Sequence, residues 1–231
     1  MRTTPIVALD VPSADAAMRV VESLGDRCRF YKIGSELFTA AGPGIVTRVR
    51  DAGCDVFLDL KLYDIPNTVR GAARSAAGLG VRLLTVHASG GVPMIEAAVE
   101  GGGDATSILA VTVLTSFDDA SLREASGRGD VIASDEVARL AELAVRGRAH
   151  GVVCSGAEAA AVRSKFGALA ILVPGIRMAG SALHDQRRVV TPAEASAAGA
   201  RYIVVGRAVT AAPDPREAMD DVMSQLTSVA V

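Results

Sequence analysis

Residues 59–64 read Asp-Leu-Lys-Leu-Tyr-Asp, a D-x-K-x-x-D run that sets two carboxylates and one amine within six positions. On a strand, residues two apart project to the same face, so Asp59 and Lys61 share one face while Leu58, Leu60 and Leu62 take the other. A lysine so placed has two chemical uses. It can be a neutral amine that forms a Schiff base, or an ammonium that donates a proton. Adjacent acids favour the ammonium, because opposite unit charges about 4 Å apart attract by roughly 4 kcal/mol at an effective dielectric of about 20. The chemistry this predicts is proton donation, and the same surroundings oppose the Schiff-base role. Charges aimed into a low-dielectric interior must alternate in sign to persist, and Lys32 or a further carboxylate is the candidate to complete such an array. Taken singly, each has a plainer reading: an internal ion pair for Asp59 and Lys61, a turn or helix cap for Asp64 and Asp10, a snorkelling amine for Lys32.

A second group of residues points to an anion. The segment PGIR at 174–177 and the segment IVVGR at 203–207 each close an apolar run, and arginines there can form charge-assisted bonds to phosphate oxygens while Gly206 permits close backbone approach. Between them lies RMAGSALHDQRR, whose Arg177, Gly180, Ser181 and Gln186 suit a mobile covering loop with a polar tip. Alone, Arg177 or Arg207 reads equally as a solvent salt bridge. His184 reads as a loop residue.

The elements that must hold these groups are legible as a repeat. Short runs rich in β-branched residues recur eight times: PIVALD, RFYKIG, DVFLDLK, RLLTVHA, TSILAVTVLT, GVVCS, LAILVPG and RYIVVG. Between most of them lie Ala-, Leu-, Glu- and Arg-rich stretches with helical spacing, such as 15–24, 68–79 and 135–146, with hydroxyl caps expected at Ser13 and Ser134. About 29 residues per unit is close to what a βαβ step needs. Near-continuous apolar strands require cover on their outer face, so the expected fold is an α/β, single-domain (β/α)8 TIM barrel over residues 1–231, with no domain linker. A doubly wound open sheet is the alternative, but the first strand runs into VALDVPSADA with no G-x-G-x-x-G turn. The glycines at 101–103 are expected to separate a helix from the fifth strand, and the polar stretch 116–130 to pass over the barrel mouth.

In such a barrel the C-terminal strand ends form the reaction surface. Asp10, Lys32, Asp59 with Lys61, His87 and Thr115 fall at the ends of the first five strands in turn, so these groups are expected to converge. His87 reads as a structural or hydrogen-bonding imidazole, and His150, before the sixth strand, belongs at the opposite end. No metal triad is evident, although Asp10 and Asp59 are capable of holding magnesium.

Composition narrows the class of function. The 231 residues are 50% hydrophobic and carry 24 basic against 26 acidic side chains, a formal charge of -2, which opposes a nucleic-acid-binding role. Cys28, Cys54 and Cys154 are widely spaced and odd in number, so buried reduced thiols are expected. The longest stretch free of charge, 105–117, is 13 residues and too short to span a membrane. Asp10 interrupts the first apolar run before a secretory signal develops, and a cytoplasmic location is the expectation.

The ordered set FYKIG at 30–34, DLKLYDIPNT at 59–68, VTVLTS at 111–116, PGIR at 174–177, DQRRVVTP at 185–192 and VVGR at 204–207 resembles the orotidine 5'-phosphate decarboxylase family over nearly the whole chain. The resemblance implies conversion of orotidine 5'-monophosphate to uridine 5'-monophosphate and carbon dioxide in de novo pyrimidine synthesis, with no organic cofactor and no metal. It implies a charged network of Lys32, Asp59 and Lys61, joined across a homodimer interface by Asp64 and, near the ribose, by Thr68 of the partner. Asp10 and Lys32 then lie at the ribose, Thr115 at the pyrimidine, and Arg177, Gln186, Gly206 and Arg207 at the phosphate. Tyr63 departs from the histidine that the family often has before the second aspartate, without touching the charged residues. Two other functions remain open at this point: a magnesium-dependent 3-keto-L-gulonate 6-phosphate decarboxylase-like enzyme, whose related D-x-K-x-x-D serves an enediolate, and a noncatalytic nucleotide-binding dimer.

Overall fold

The apolar runs fold as eight parallel strands: β1 (Thr4–Ala8), β2 (Phe30–Gly34), β3 (Asp55–Leu62), β4 (Leu83–His87), β5 (Ser107–Val111), β6 (Gly151–Val153), β7 (Ala170–Val173) and β8 (Tyr202–Val205). Each pairs with the next, and β8 returns to β1 with Thr4 opposite Tyr202 and Val7 opposite Val205, closing the barrel. The computed structural model describes residues 3–178 and 190–227. Helices α1 (Ala14–Leu24), α2 (Ser35–Ala41), α3 (Gly44–Asp51), α4 (Pro66–Gly78), α5 (Gly91–Gly102), α6 (Asp119–Ser126), α7 (Ala133–Arg146), α8 (Gly156–Lys165), α9 (Pro192–Ala197), α10 (Arg207–Thr210) and α11 (Pro215–Thr227) follow the strands. The (β/α)8 expectation holds.

Strand alternation divides the apolar residues into two cores. Tyr31, Ile33, Val56, Leu58, Leu84 and Val86 point outward and pack under the helices. Ile6, Ala8, Phe30, Phe57, Leu83, Leu109, Leu172, Tyr202 and Val204 fill the barrel. At the floor, Phe30 and Tyr202 meet edge to face, with centroids 6.2 Å apart. The Arg82 guanidinium covers the Phe30 ring at 5.3 Å and is ion-paired to Asp55, so the N-terminal end is sealed and stabilising. Everything reactive is left to the other end.

Local signals set most helix boundaries. The Ser13 side chain accepts the Ala16 N–H at 3.2 Å and starts α1, while Pro66 occupies the first turn of α4, where a missing N–H costs nothing. Two expectations shift. Ser134 lies inside α7, because the Ala133 N–H is taken at 2.9 Å by Asp119 from another element and the helix begins two residues earlier than a Ser134 cap would set it. Gly101 and Gly102 belong to α5 rather than to a separator, since a Cβ on Gly101 would stand 2.3 Å from the Arg70 carbonyl oxygen where α5 lies against α4. Only Gly103, at φ 55°, ends the helix. The polar stretch 116–130 is partly helical: Asp118 and Ser121 form a reciprocal cap that opens α6.

Candidate active site

The C-terminal strand ends surround a cavity of about 640 Å³, a size suited to a nucleotide-scale molecule. Its wall includes Asp10, Lys32, Asp59, Lys61, Thr115, Arg177, Gly206 and Arg207, which a sequence reading places at strand ends. It also includes Glu36 and Thr210, which that reading did not single out.

Four charges form a chain of alternating sign. Lys32 Nζ donates to Asp10 Oδ1 at 2.8 Å and stands 3.8 Å from Asp59 Oδ2, the same oxygen that accepts from Lys61 Nζ at 2.9 Å. Lys32 and Asp59 are nearly enclosed, with 11% and 13% of their side chains exposed, and each is matched by an opposite charge, as burial demands. Lys61 is the half-open end of the chain, facing the cavity. Lys32 therefore acts on Asp10 and Asp59, not directly on Lys61.

Asp59 and Lys61 do share a face, but not by simple pleating. Register between β3 and β4 runs Leu58 to Leu84 and then Leu62 to Val86, so three residues of β3 oppose Thr85 alone. This bulge places Lys61 at φ 51°, a left-handed conformation that costs a non-glycine residue of order 1–3 kcal/mol. Leu60 and Leu62 still pack against the outer core. Buried Thr85 bridges the distortion: its Oγ1 accepts the Lys61 N–H at 2.9 Å and its hydroxyl donates to Asp59 Oδ1 at 2.8 Å. A hydroxyl at an inward-facing position of an otherwise apolar strand, between Leu83 and His87, is the signal that could have identified it.

Gly34 is a further residue that spacing alone does not reveal. A Cβ there would lie 2.9 Å from Lys32 Nζ and 3.4 Å from Asp10 Oδ1. With Lys32 and Gly34 two residues apart and facing the same way on β2, the glycine makes room for the ion pair.

On the anion side, Pro174, Gly175 and Arg177 follow β7 into the cavity wall. A parallel bridge pairs Ile176 with Val190, and the Arg177 N–H donates to the Val190 carbonyl at 3.0 Å, which joins the two ends of the intervening segment. Val190 fits against Gly156, where a Cβ would come within 2.4 Å of its methyls. Gln186, with Gly180, Ser181 and His184, lies outside the described residues.

Asp64 and Thr68 do not line the cavity of their own chain. Both are exposed, and Asp64 Oδ1 accepts the Ile65 N–H at 2.6 Å in the turn before α4. Tyr63 and Ile65 beside it are the most exposed large apolar side chains described, at 64% and 66%. Tyr63 meets His87 edge to face, with centroids 5.9 Å apart. Burial, and then the Lys61 ammonium, holds the His87 pKa below its ordinary value against a smaller opposing pull from Asp59, so the imidazole is neutral near pH 7.

Among the described residues no three His, Cys, Asp or Glu side chains gather as a metal-binding cluster, and no helix is long and apolar enough to cross a membrane. All three cysteines are free and buried.

Comparison with known proteins agrees with this geometry. Residues 3–222 match the model of the Orotidine 5'-phosphate decarboxylase / HUMPS family. The orotidine 5'-phosphate decarboxylase of Cutibacterium acnes is 51% identical over 217 residues, covering 92% of each chain. That of an Anaeromyxobacter species is 53% identical over 212 residues, covering 91% of this chain and 92% of the other. The crystal structure of orotidine 5'-phosphate decarboxylase from Lactobacillus acidophilus superposes with a TM-score of 0.86 at 36% identity, covering 98% of this chain and 99% of that one. With alternating charges at a barrel mouth, arginines at the late strand ends and relatives alike over nine-tenths of their length, this chain belongs to the Orotidine 5'-phosphate decarboxylase / HUMPS family.

Proposed function

We propose that the chain decarboxylates orotidine 5'-monophosphate to uridine 5'-monophosphate in pyrimidine nucleotide synthesis, with Lys61 as proton donor and neither metal nor organic cofactor. The observation that carries this reading is the Lys61 ammonium, held 2.9 Å from Asp59 at the open end of an alternating charge chain in a nucleotide-sized cavity. Loss of carbon dioxide breaks the bond between C6 and its carboxylate and leaves the electron pair in the ring plane, where no neighbouring carbonyl can take it up. A fixed ammonium lowers the energy of that charge as it forms and then supplies the proton that replaces the carboxylate. Lys61 leaves the step as a neutral amine and regains its proton from solvent.

Asp59 holds the ammonium in place, and its own charge opposes the substrate carboxylate, a secondary effect beside electrostatic preorganisation. Asp10 and Lys32 are assigned to the ribose, Thr115 to the pyrimidine, and Arg177, Gln186, Gly206 and Arg207 to the phosphate. Among the described residues, a Cβ on Gly206 would meet the Ala8 methyl at 3.9 Å, an ordinary contact, so the protein's own atoms leave space at that strand end. Phosphate contacts are remote from C6 and serve orientation, so a phosphate-free nucleoside is expected to lose kcat/KM and not merely affinity.

The active unit of this reading is a homodimer in which the partner supplies Asp64 and Thr68. Support comes from their exposure, from their absence from the cavity of their own chain, and from the bare Tyr63 and Ile65 side chains that flank Asp64. A cytoplasmic location fits three free cysteines.

Assay of purified protein with a chelator present, following both uridine 5'-monophosphate and carbon dioxide, tests the reading. Turnover of orotidine 5'-monophosphate under those conditions is expected. Inactivity of a folded dimer, or a magnesium requirement with 3-keto-L-gulonate 6-phosphate as the better substrate, would overturn it.

A further inference from the structure

The bulge in β3 creates a problem that one side chain of β4 solves. Between the Leu58–Leu84 and Leu62–Val86 pairs, residues 59–61 face only Thr85, so the regular ladder cannot satisfy every group of the distorted stretch. A threonine hydroxyl has one proton to give and lone pairs to accept with, and Thr85 uses both on the reactive pair. It accepts the backbone N–H of Lys61 at 2.9 Å and donates to Oδ1 of Asp59 at 2.8 Å. The donation leaves Oδ2 of Asp59 for Lys61 Nζ at 2.9 Å and Lys32 Nζ at 3.8 Å. Thr85 is fully buried on an interior face, so its geometry is fixed by packing and not by solvent.

We infer that Thr85 is a positioning residue for proton delivery: its hydroxyl locks the left-handed backbone of Lys61 and the rotamer of Asp59 together, and thereby fixes where the ammonium stands. The inference rests on the reading of Lys61 as proton donor. Valine has the shape of threonine without the hydroxyl, so Thr85→Val keeps the barrel filled while releasing both contacts. Misplacing a reacting group by a fraction of its bond reach affects the chemical step more than binding.

The experiment measures kcat, KM and the Kd for uridine 5'-monophosphate in the wild type, Thr85→Val and Thr85→Ser, with kcat expressed per nucleotide-binding site. Thr85→Val is expected to lower kcat by roughly 10- to 100-fold with Kd within about threefold, and Thr85→Ser, which retains the hydroxyl, to recover most of the loss. In parallel, hydrogen exchange at the Lys61 amide is expected to quicken in Thr85→Val and not in Thr85→Ser. A kcat per binding site within twofold of wild type in Thr85→Val would overturn the inference, as would equal losses in both variants. A wild type inactive toward orotidine 5'-monophosphate overturns the functional reading instead; the amide exchange then decides the contact by itself, and unchanged protection in Thr85→Val would sink it. If Thr85→Val fails to fold, Thr85→Ser and Thr85→Ala carry the same comparison.

Discussion

Gly34 and Lys32 lie two residues apart on one face of β2, and a Cβ on the glycine would stand 2.9 Å from the lysine Nζ. The contact is closer than a real Cβ tolerates, and the atom met is a charged tip already engaged by Asp10 at 2.8 Å. Gly34→Ala therefore forces Lys32 away from Asp10, Asp59 or both. We expect a folded protein whose kcat/KM falls by roughly tenfold or more, with a small change in Tm. Activity within twofold of wild type would mean that Lys32 moves aside without consequence.

Lys61→Ala and Arg207→Ala are expected to fail in different ways. Removing the ammonium takes away both charge stabilisation and the proton, so turnover should fall by roughly 100- to 10,000-fold or more. On the proposed assignment, removing the Arg207 guanidinium weakens the grip on the phosphate. Arg207→Ala should lose kcat/KM toward the nucleotide while hardly changing the slow reaction of the phosphate-free nucleoside. Near-normal turnover by Lys61→Ala, in a preparation free of contaminating enzyme, would contradict the proton-donor role.

The dimer reading makes a complementation prediction. Asp64→Asn and Lys61→Ala homodimers should each be nearly inactive. A mixed dimer, however, joins the intact Lys61 of one subunit to the intact Asp64 of the other in one of its two sites. Equal mixtures after subunit exchange should regain roughly a quarter of wild-type activity. No recovery despite demonstrated exchange would place Asp64 in the site of its own chain.

Two imidazoles give a pH dependence of stability. His87 is held below its ordinary value of 6.5 by burial and then by Lys61, and His150, which is still exposed, more weakly by partial desolvation of its ring. His150 Nδ1 also accepts the Ile108 N–H at 3.0 Å, a role that protonation ends. Because the folded pKa values are depressed, the unfolded chain takes up these protons first as pH falls through about 6.5. Stability is therefore full above that value and is lost below it. Tm should drop between pH 7.5 and pH 5.5, and His87→Asn with His150→Asn should flatten the drop; an unchanged slope in the double variant would refute this origin.

Much of the molecule follows from local pattern. β-Branched runs at a spacing of about thirty residues dictate strands alternating with covering helices, and the count of eight offers a closed barrel as one way to bury both faces of every strand. PGIR and VVGR fall at strand ends because the apolar run stops where the wall opens to solvent, which is why Arg177 and Arg207 are found around the cavity. Period-two alternation likewise assigns Asp59 and Lys61 to one face.

What alternation within a strand does not contain is the register between strands, and register decided the rest. Lys32 pairs with Asp10, 22 residues away, because β1 and β2 bring Ala8 opposite Lys32. Thr85 reaches Asp59 across 26 residues because the Leu58–Leu84 register continues to that pair, and it reaches the Lys61 N–H as well because β3 then bulges against β4, a distortion invisible in the amino acids of either strand. Asp64 and Thr68 carry a D-x-x-x-T spacing that places them near Lys61 in sequence, yet the chain turns after β3 and leaves them on its outer surface. Residue types and periodicity thus determined which charges this protein brings to one end of a barrel; strand register, the left-handed turn at Lys61 and the space left by Gly34 decided which of them touch, because those contacts are made between segments whose relative placement no single segment encodes.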